Sequence, residues 1–377
     1  ALAYAPQLAA ARGHLERAAA AIADDAPDFA AYLRNRARDL LSGDYESGDA
    51  SWVTGRLGKL NLQFGSYETY DDSLLGIKAF FSASLLARDE AKSRALAAAM
   101  TELQSIEDAL PYEHQKRVRS HIPVGVYNVV ADFGQARGAN TATILPNDAD
   151  HARKYGRIVL IRNNILANPA IFDNSKQRFD AVVAPAFRNH LTIDGGFNRT
   201  LWHEIGHYLG VSMTADGRSL GEALAEYADL VEEMKSDLVS LHAAPTLLEI
   251  GYYDEQGLRA HYADGIRRTL QVVKPRSEQP YQNMQLMQFN YFMEHGLIEP
   301  RGDAALLAIN YERYHEVVSE LLGEVLQLQY AGDYDMAKAF IERWNYWDER
   351  VHGRLAGFMQ EQVRYRGTMV RYAVLEE

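Results

Sequence analysis

The spacing of apolar and polar positions changes character twice along the chain. From residue 4 to about 58 it is helical: Phe29, Tyr32, Leu33, Leu40 and Leu41 recur on one face, and four alanines at 18–21 form one side of a packed helix. From Leu60 the period shortens. Residues 61–70 and 75–86 alternate as strands do, and 89–110 returns to helix and stops at Pro111. Val-Gly-Val-Tyr-Asn-Val-Val at 124–130 is the clearest strand, 134–140 reads as a loop, 143–148 as a short strand entering a turn, and 157–161 as another strand. After about Ile165 the pattern is helical to about Gln362, interrupted by Gly195-Gly196, with a terminal strand over 368–375. The pattern predicts an α+β, predominantly helical protein. Residues 1–165 read as N-terminal helices and a mixed α+β lobe, and 166–377 as a helical lobe, with a cleft between the two.

Composition narrows the function. The 377 residues are 47% hydrophobic and 24% charged, the balance of a globular protein, with a net charge of −12. No basic stripe offers itself to phosphates, so neither a nucleic-acid partner nor docking on anionic lipid is expected. No apolar run reaches the length of a membrane span. With no cysteine, any metal site must be built from His, Asp and Glu. The first residues, Ala1-Leu2-Ala3, lack an initiator Met and read as the start of a processed or trimmed, soluble product, cytoplasmic or periplasmic.

One motif carries chemistry. His203-Glu204-Ile205-Gly206-His207 is His-Glu-x-x-His, which places two imidazoles one helical turn apart on one face. Chance supplies roughly 0.03 such patterns in a chain of this composition. Two neutral imidazoles can share one zinc ion, and Glu204 stands where it can take a proton from water and later return it to a leaving amine. Leu201, Trp202, Ile205 and Leu209 make the flanks apolar, so the histidines border a packed face.

A third ligand is needed. Residues 220–242 read as one long helix, on which Glu222, Glu226, Asp229, Glu233 and Asp237 fall within an arc of about 80°. Spacing leaves both Glu226 and Glu233 open as the ligand. Glu233 has Asp237 at i+4, a carboxylate suited to fixing a metal-bound histidine through its second N–H.

Glu232-Glu233-Met234-Lys235-Ser236-Asp237 resembles the Glu-Glu-x-Lys/Arg-Ala-Glu/Asp motif of the dipeptidyl-peptidase III family, and more closely that of its shorter bacterial and plant relatives, some fused to Nudix domains. The resemblance implies that Glu233 binds zinc and Asp237 orients a histidine. Tyr67-Glu68-Thr69-Tyr70 with the segment after it is similar to the family's Glu-x-Tyr region, implying that the Tyr70 hydroxyl bonds the tetrahedral intermediate. Pro146-Asn147 resembles a turn whose Asn, here Asn147, holds substrate backbone. Gln288-Phe289-Asn290-Tyr291 is similar to a helix of the shorter relatives. Two departures stand out. The histidine spacing is one residue shorter than in dipeptidyl-peptidases III themselves, and Tyr281-Gln282 stands where the relatives carry His-Gly, which makes Tyr281 a candidate for the oxyanion role.

The reading is therefore a zinc metallohydrolase, a peptidase, with one Zn²⁺ on His203, His207 and Glu233, Glu204 as general base, Asp237 as orienting group, and Tyr70 with Tyr281 at the oxyanion. The partner is a peptide or small-molecule substrate. The alternatives are a zinc enzyme with a non-peptide substrate and a non-catalytic zinc-binding protein. Glu204 speaks against the last, since a structural site needs no carboxylate there.

Overall fold

The computed structural model describes the whole chain except residues 1–3, 57, 67–80, 119–122, 135–140, 147–148, 303–305, 363–371, 373 and 375–377. The fold is α+β and mostly helical. It divides into two compact units. One comprises Ala1–Met100, Arg119–Ile165 and Met369–Glu377; the other comprises Thr101–Val118 and Leu166–Thr368.

The first unit is built on a five-stranded sheet of β1 (Leu60–Gly65), β2 (Ser82–Arg88), β3 (Val124–Gly134), β4 (Ala142–Leu145) and β5 (Ile158–Arg162) in the order β1-β2-β3-β5-β4. Only β3 and β5 run parallel, with Val126 opposite Ile161. Every residue of β5 is buried, as expected for an inner strand covered on both faces. Helices Ala5–Ala21 and Pro27–Ser42 contribute Leu8, Leu15, Tyr32, Leu33 and Leu40 to its core, beside Leu86, Tyr127 and Leu160 of the sheet. Pro27 starts the second helix without the loss of a bond, and Gly43, at φ 77°, ends it in the left-handed region.

The second unit is helical and centres on Ile193–Gly206, called here the motif helix. It packs on Ala228–His242, the acidic helix, and on Glu255–Thr269, the buttress helix. The acidic helix also meets Pro280–Glu294 and Tyr314–Ala331. A hairpin, β6 (Ile298–Arg301) and β7 (Leu306–Ile309), pairs Ile298 with Ile309.

Several expectations change. The helix expected over 89–110 is two helices, Glu90–Ala99 and Leu103–Asp108, joined by a 3₁₀ turn, and its second half clusters with the helical unit. That half is anchored there: Glu107 Oε2 accepts the Gly210 N–H at 2.7 Å, and His242 Nε2 lies 3.0 Å from the Ala109 carbonyl. The single helix expected over 220–242 breaks at Ala225, which takes φ 50°, into Leu220–Leu224, a 3₁₀ turn at Ala225–Tyr227 and the acidic helix. The hairpin replaces expected helix. The terminal strand expected over 368–375 lies almost wholly outside the described residues.

Candidate metal centre

The motif helix is held in place before its histidines are reached. Thr192 caps it, with Oγ1 accepting the Gly195 N–H at 3.1 Å. Two glycines set its approach to its neighbours. A Cβ on Gly195 would stand 2.4 Å from the Ala260 carbonyl oxygen of the buttress helix, and one on Gly206 would stand 2.8 Å from that of Ser236 on the acidic helix. Past its end, buried Lys235 donates to the carbonyls of Gly206 at 2.8 Å and Leu209 at 2.9 Å, filling acceptors that a helix C-terminus leaves open.

This close packing brings three of the sequence candidates together. Ligand atoms of His203, His207 and Glu233 all lie within 4.8 Å of one another. Glu233 Oε2 is 3.2 Å from His203 Nε2 and 3.8 Å from His207 Nε2. The same oxygen is buried and makes no hydrogen bond of normal geometry among the described residues. A buried carboxylate oxygen facing two imidazole nitrogens is the donor set that fits a divalent metal of borderline softness.

The far side of each imidazole is also occupied. His203 Nδ1 lies 2.7 Å from Asp237 Oδ1. His207 Nδ1 lies 2.9 Å from Glu232 Oε1 and 2.9 Å from Ser236 Oγ. Each carboxylate is fixed in turn. Asp237 receives Arg199 Nη1 at 2.9 Å and Arg268 Nε at 3.2 Å. Glu232 receives Lys235 Nζ at 2.8 Å and Gln329 Nε2 at 3.0 Å.

The electrostatics follow from those partners. Burial pushes Asp237 up, but Arg268, His203 and Arg199 together hold it far below the usual carboxylate range. Burial also works against the ionised form of Glu232, yet Lys235 and His207 bring it down to about 2. Glu233 is likewise held below its ordinary value, burial opposing and His203 prevailing. Burial disfavours the imidazolium of His203, but Asp237 and Glu233 outweigh it and raise the pKa to about 9. A metal arriving at this site must therefore displace a proton.

The other candidates fall as follows. Glu204 is partly buried, next to His203 in the chain, and its charge contributes to the upward shift of that imidazole. Tyr281 is brought to the cluster, its hydroxyl donating to Glu233 Oε1 at 2.9 Å. Glu226 is not: it is exposed on the 3₁₀ turn and accepts the Tyr334 hydroxyl at 2.6 Å. Glu222 and Asp229 are exposed too, Glu222 within a capping box with Ser219. The stripe expected from a straight helix is thus split. Tyr70 and Asn147 lie outside the described residues. Arg199, Arg268, Lys235 and Gln329 were not singled out by the sequence; for Glu232, its place beside Glu233 in Glu-Glu was the available signal.

No family model matches the chain. Among solved structures it is similar to dipeptidyl-peptidase III from Caldithrix abyssi, with TM-score 0.84 and 27% identity over 96% of this chain and 69% of that one. It is also similar to dipeptidyl-peptidase III from Corallococcus sp. strain EGB, with TM-score 0.78 and 25% identity over 95% of this chain and 66% of that one. Among curated proteins it matches Nudix hydrolase 3 of Arabidopsis thaliana, 25% identical over 349 residues, which are 90% of this chain and 44% of the relative. The chain thus spans less than half the length of that relative. No helix among the described residues is long and apolar enough to cross a membrane.

Proposed function

We propose, from the premise that this chain is a dipeptidyl-peptidase III-like protein, that it is a zinc-dependent peptidase. The observation that carries the reading is the convergence of His203, His207 and Glu233 within 4.8 Å, with Glu204 next to His203 in the chain. Those three side chains would hold one zinc ion, which would supply a Lewis acid able to lower the pKa of water to about 7. Glu204 accepts the water proton and returns it to the departing amine. Asp237 and Glu232 fix the two rings through Nδ1, which leaves each Nε2 on the side of Glu233, where it would be available to a metal. The Tyr281 hydroxyl, which donates to Glu233, is the described candidate for a donor to the developing oxyanion. The resemblance adds Tyr70 as a second donor and Asn147 as a holder of substrate backbone. Peptide is the substrate class.

A peptide library digested by the zinc-loaded protein and by Glu204→Gln tests this. The expected result is cleavage by the first and a loss of about 100-fold or more in the second, the scale of general acid–base catalysis. Zinc-loaded protein that cleaves no peptide would overturn the peptidase reading and favour a non-peptide substrate. Purified protein that binds no zinc would overturn both.

A further inference from the structure

The helical unit contains a cavity of about 420 Å³ that shares no residue with the metal cluster. That volume lies at the lower end of small-molecule sites. Its walls combine Phe187 from a 3₁₀ turn, Arg259 from the buttress helix, and residues of the hairpin and the segment after it. The Arg259 guanidinium sits 5.5 Å from the centre of the Tyr311 ring. Phe187 and His190 pack against the same ring, at 6.2 Å and 5.1 Å between centres.

The charges are arranged unequally. Arg301 is neutralised by Glu299 at 3.2 Å. Arg259 and Glu312 line the cavity as well, yet neither joins an ion pair among the described residues, and they do not pair with each other. One cation and one anion thus face a common space without meeting. The Tyr311 hydroxyl and His190 Nδ1 are buried, with no hydrogen-bond partner among the described residues.

We infer that this cavity is a second ligand site, for a free α-amino acid with an aromatic or large apolar side chain. Its carboxylate meets Arg259, its ammonium group meets Glu312, and its side chain lies against Phe187 and Tyr311. The inference does not depend on the peptidase reading.

Calorimetric titration of the full chain with L-phenylalanine, L-phenylalaninamide and N-acetyl-L-phenylalanine tests it. Free phenylalanine should bind saturably, and removing either charge should weaken binding by about tenfold or more, the scale of one charge-assisted contact. Arg259→Leu should abolish the preference for phenylalanine over the amide, and Glu312→Gln the preference over the N-acetyl form. Both side chains are exposed, so both variants should melt like the parent, which a thermal scan checks. Absence of saturable binding would overturn the inference. So would binding that Arg259→Leu and Glu312→Gln leave unchanged, as expected if phenylalanine went to the metal centre instead.

Discussion

Arg162 in the sheet unit and Arg199 in the helical unit are both buried, and they do different work with the same device. Arg162 ends β5 and gives Nη1 to both oxygens of Asp132 at 3.1 Å, while Nη2 donates to Ser84 at 2.7 Å and to Gln63 at 3.3 Å. Asp132 also accepts the Tyr372 hydroxyl at 2.7 Å. Among the described residues the Arg162 guanidinium meets one carboxylate, one hydroxyl and one side-chain amide oxygen. Arg199 instead meets two carboxylates, Asp264 at 2.8 Å and Asp237 at 2.9 Å. Both carboxylates reach further groups: Arg267 binds Asp264, Arg268 binds Asp237, and Asp237 lies against His203. The first arginine ties strands of the sheet to one another. The second ties the helix pack and also sets an anion against an imidazole.

The largest effect that sharpens this contrast is on stability. Arg162→Met and Arg199→Met should each cost about 3–5 kcal/mol, because each leaves a carboxylate buried with a partner removed. Urea denaturation measures that cost. Zinc titration should then separate them, with affinity weakened about 10–100-fold in Arg199→Met and unchanged in Arg162→Met. Equal zinc loss in both would break the comparison.

Acid should act on the helical unit. It buries histidines whose pKa values are held below the ordinary range. Burial, against the opposing Ala109 carbonyl, lowers the His242 pKa to about 4, and burial with Arg199 lowers His261 to about 3. The unfolded chain takes up a proton near pH 6.5 that folded His242 refuses until about pH 4. The stability from neutral His242 is therefore fully present above pH 6.5 and is lost as the pH falls from there to about 4, a change on the order of 3 kcal/mol. Hydrogen exchange over that range should show opening of the acidic helix and Leu103–Asp108, and His242→Gln should flatten the slope.

A smaller effect isolates the shared carboxylate. Asp237→Asn keeps the shape but gives up the charge on His203, so zinc affinity should fall about 10–100-fold with little change in the far-ultraviolet circular dichroism. Asp132→Asn should leave zinc affinity where it was.

The parts of this site that the sequence displayed are those made by local spacing. His203 and His207 are one turn apart, and a helix turns that spacing into a shared face. The third candidate ligand was harder, because spacing along an assumed straight helix left both Glu226 and Glu233 open. What separates them is the break at Ala225, whose positive φ no Gly or Asn announces. Arg199 was hidden for a different reason. Its partners Asp237 and Asp264 lie 38 and 65 residues away, so a buried arginine reads as one more polar position on a helix. Pairings of that range depend on tertiary packing, as does the attachment of Leu103–Asp108 to the helical unit. The hairpin was missed because β6 is four residues long and contains Glu299 and Pro300, a poor strand signal.

The central claim is that one zinc ion sits on His203, His207 and Glu233. The direct test is the zinc bound per chain after equilibrium dialysis of Glu233→Ala and Glu226→Ala, side by side with the parent. One zinc per chain is expected in the parent and in Glu226→Ala, and loss of zinc in Glu233→Ala. Zinc retained by Glu233→Ala and lost from Glu226→Ala would contradict it.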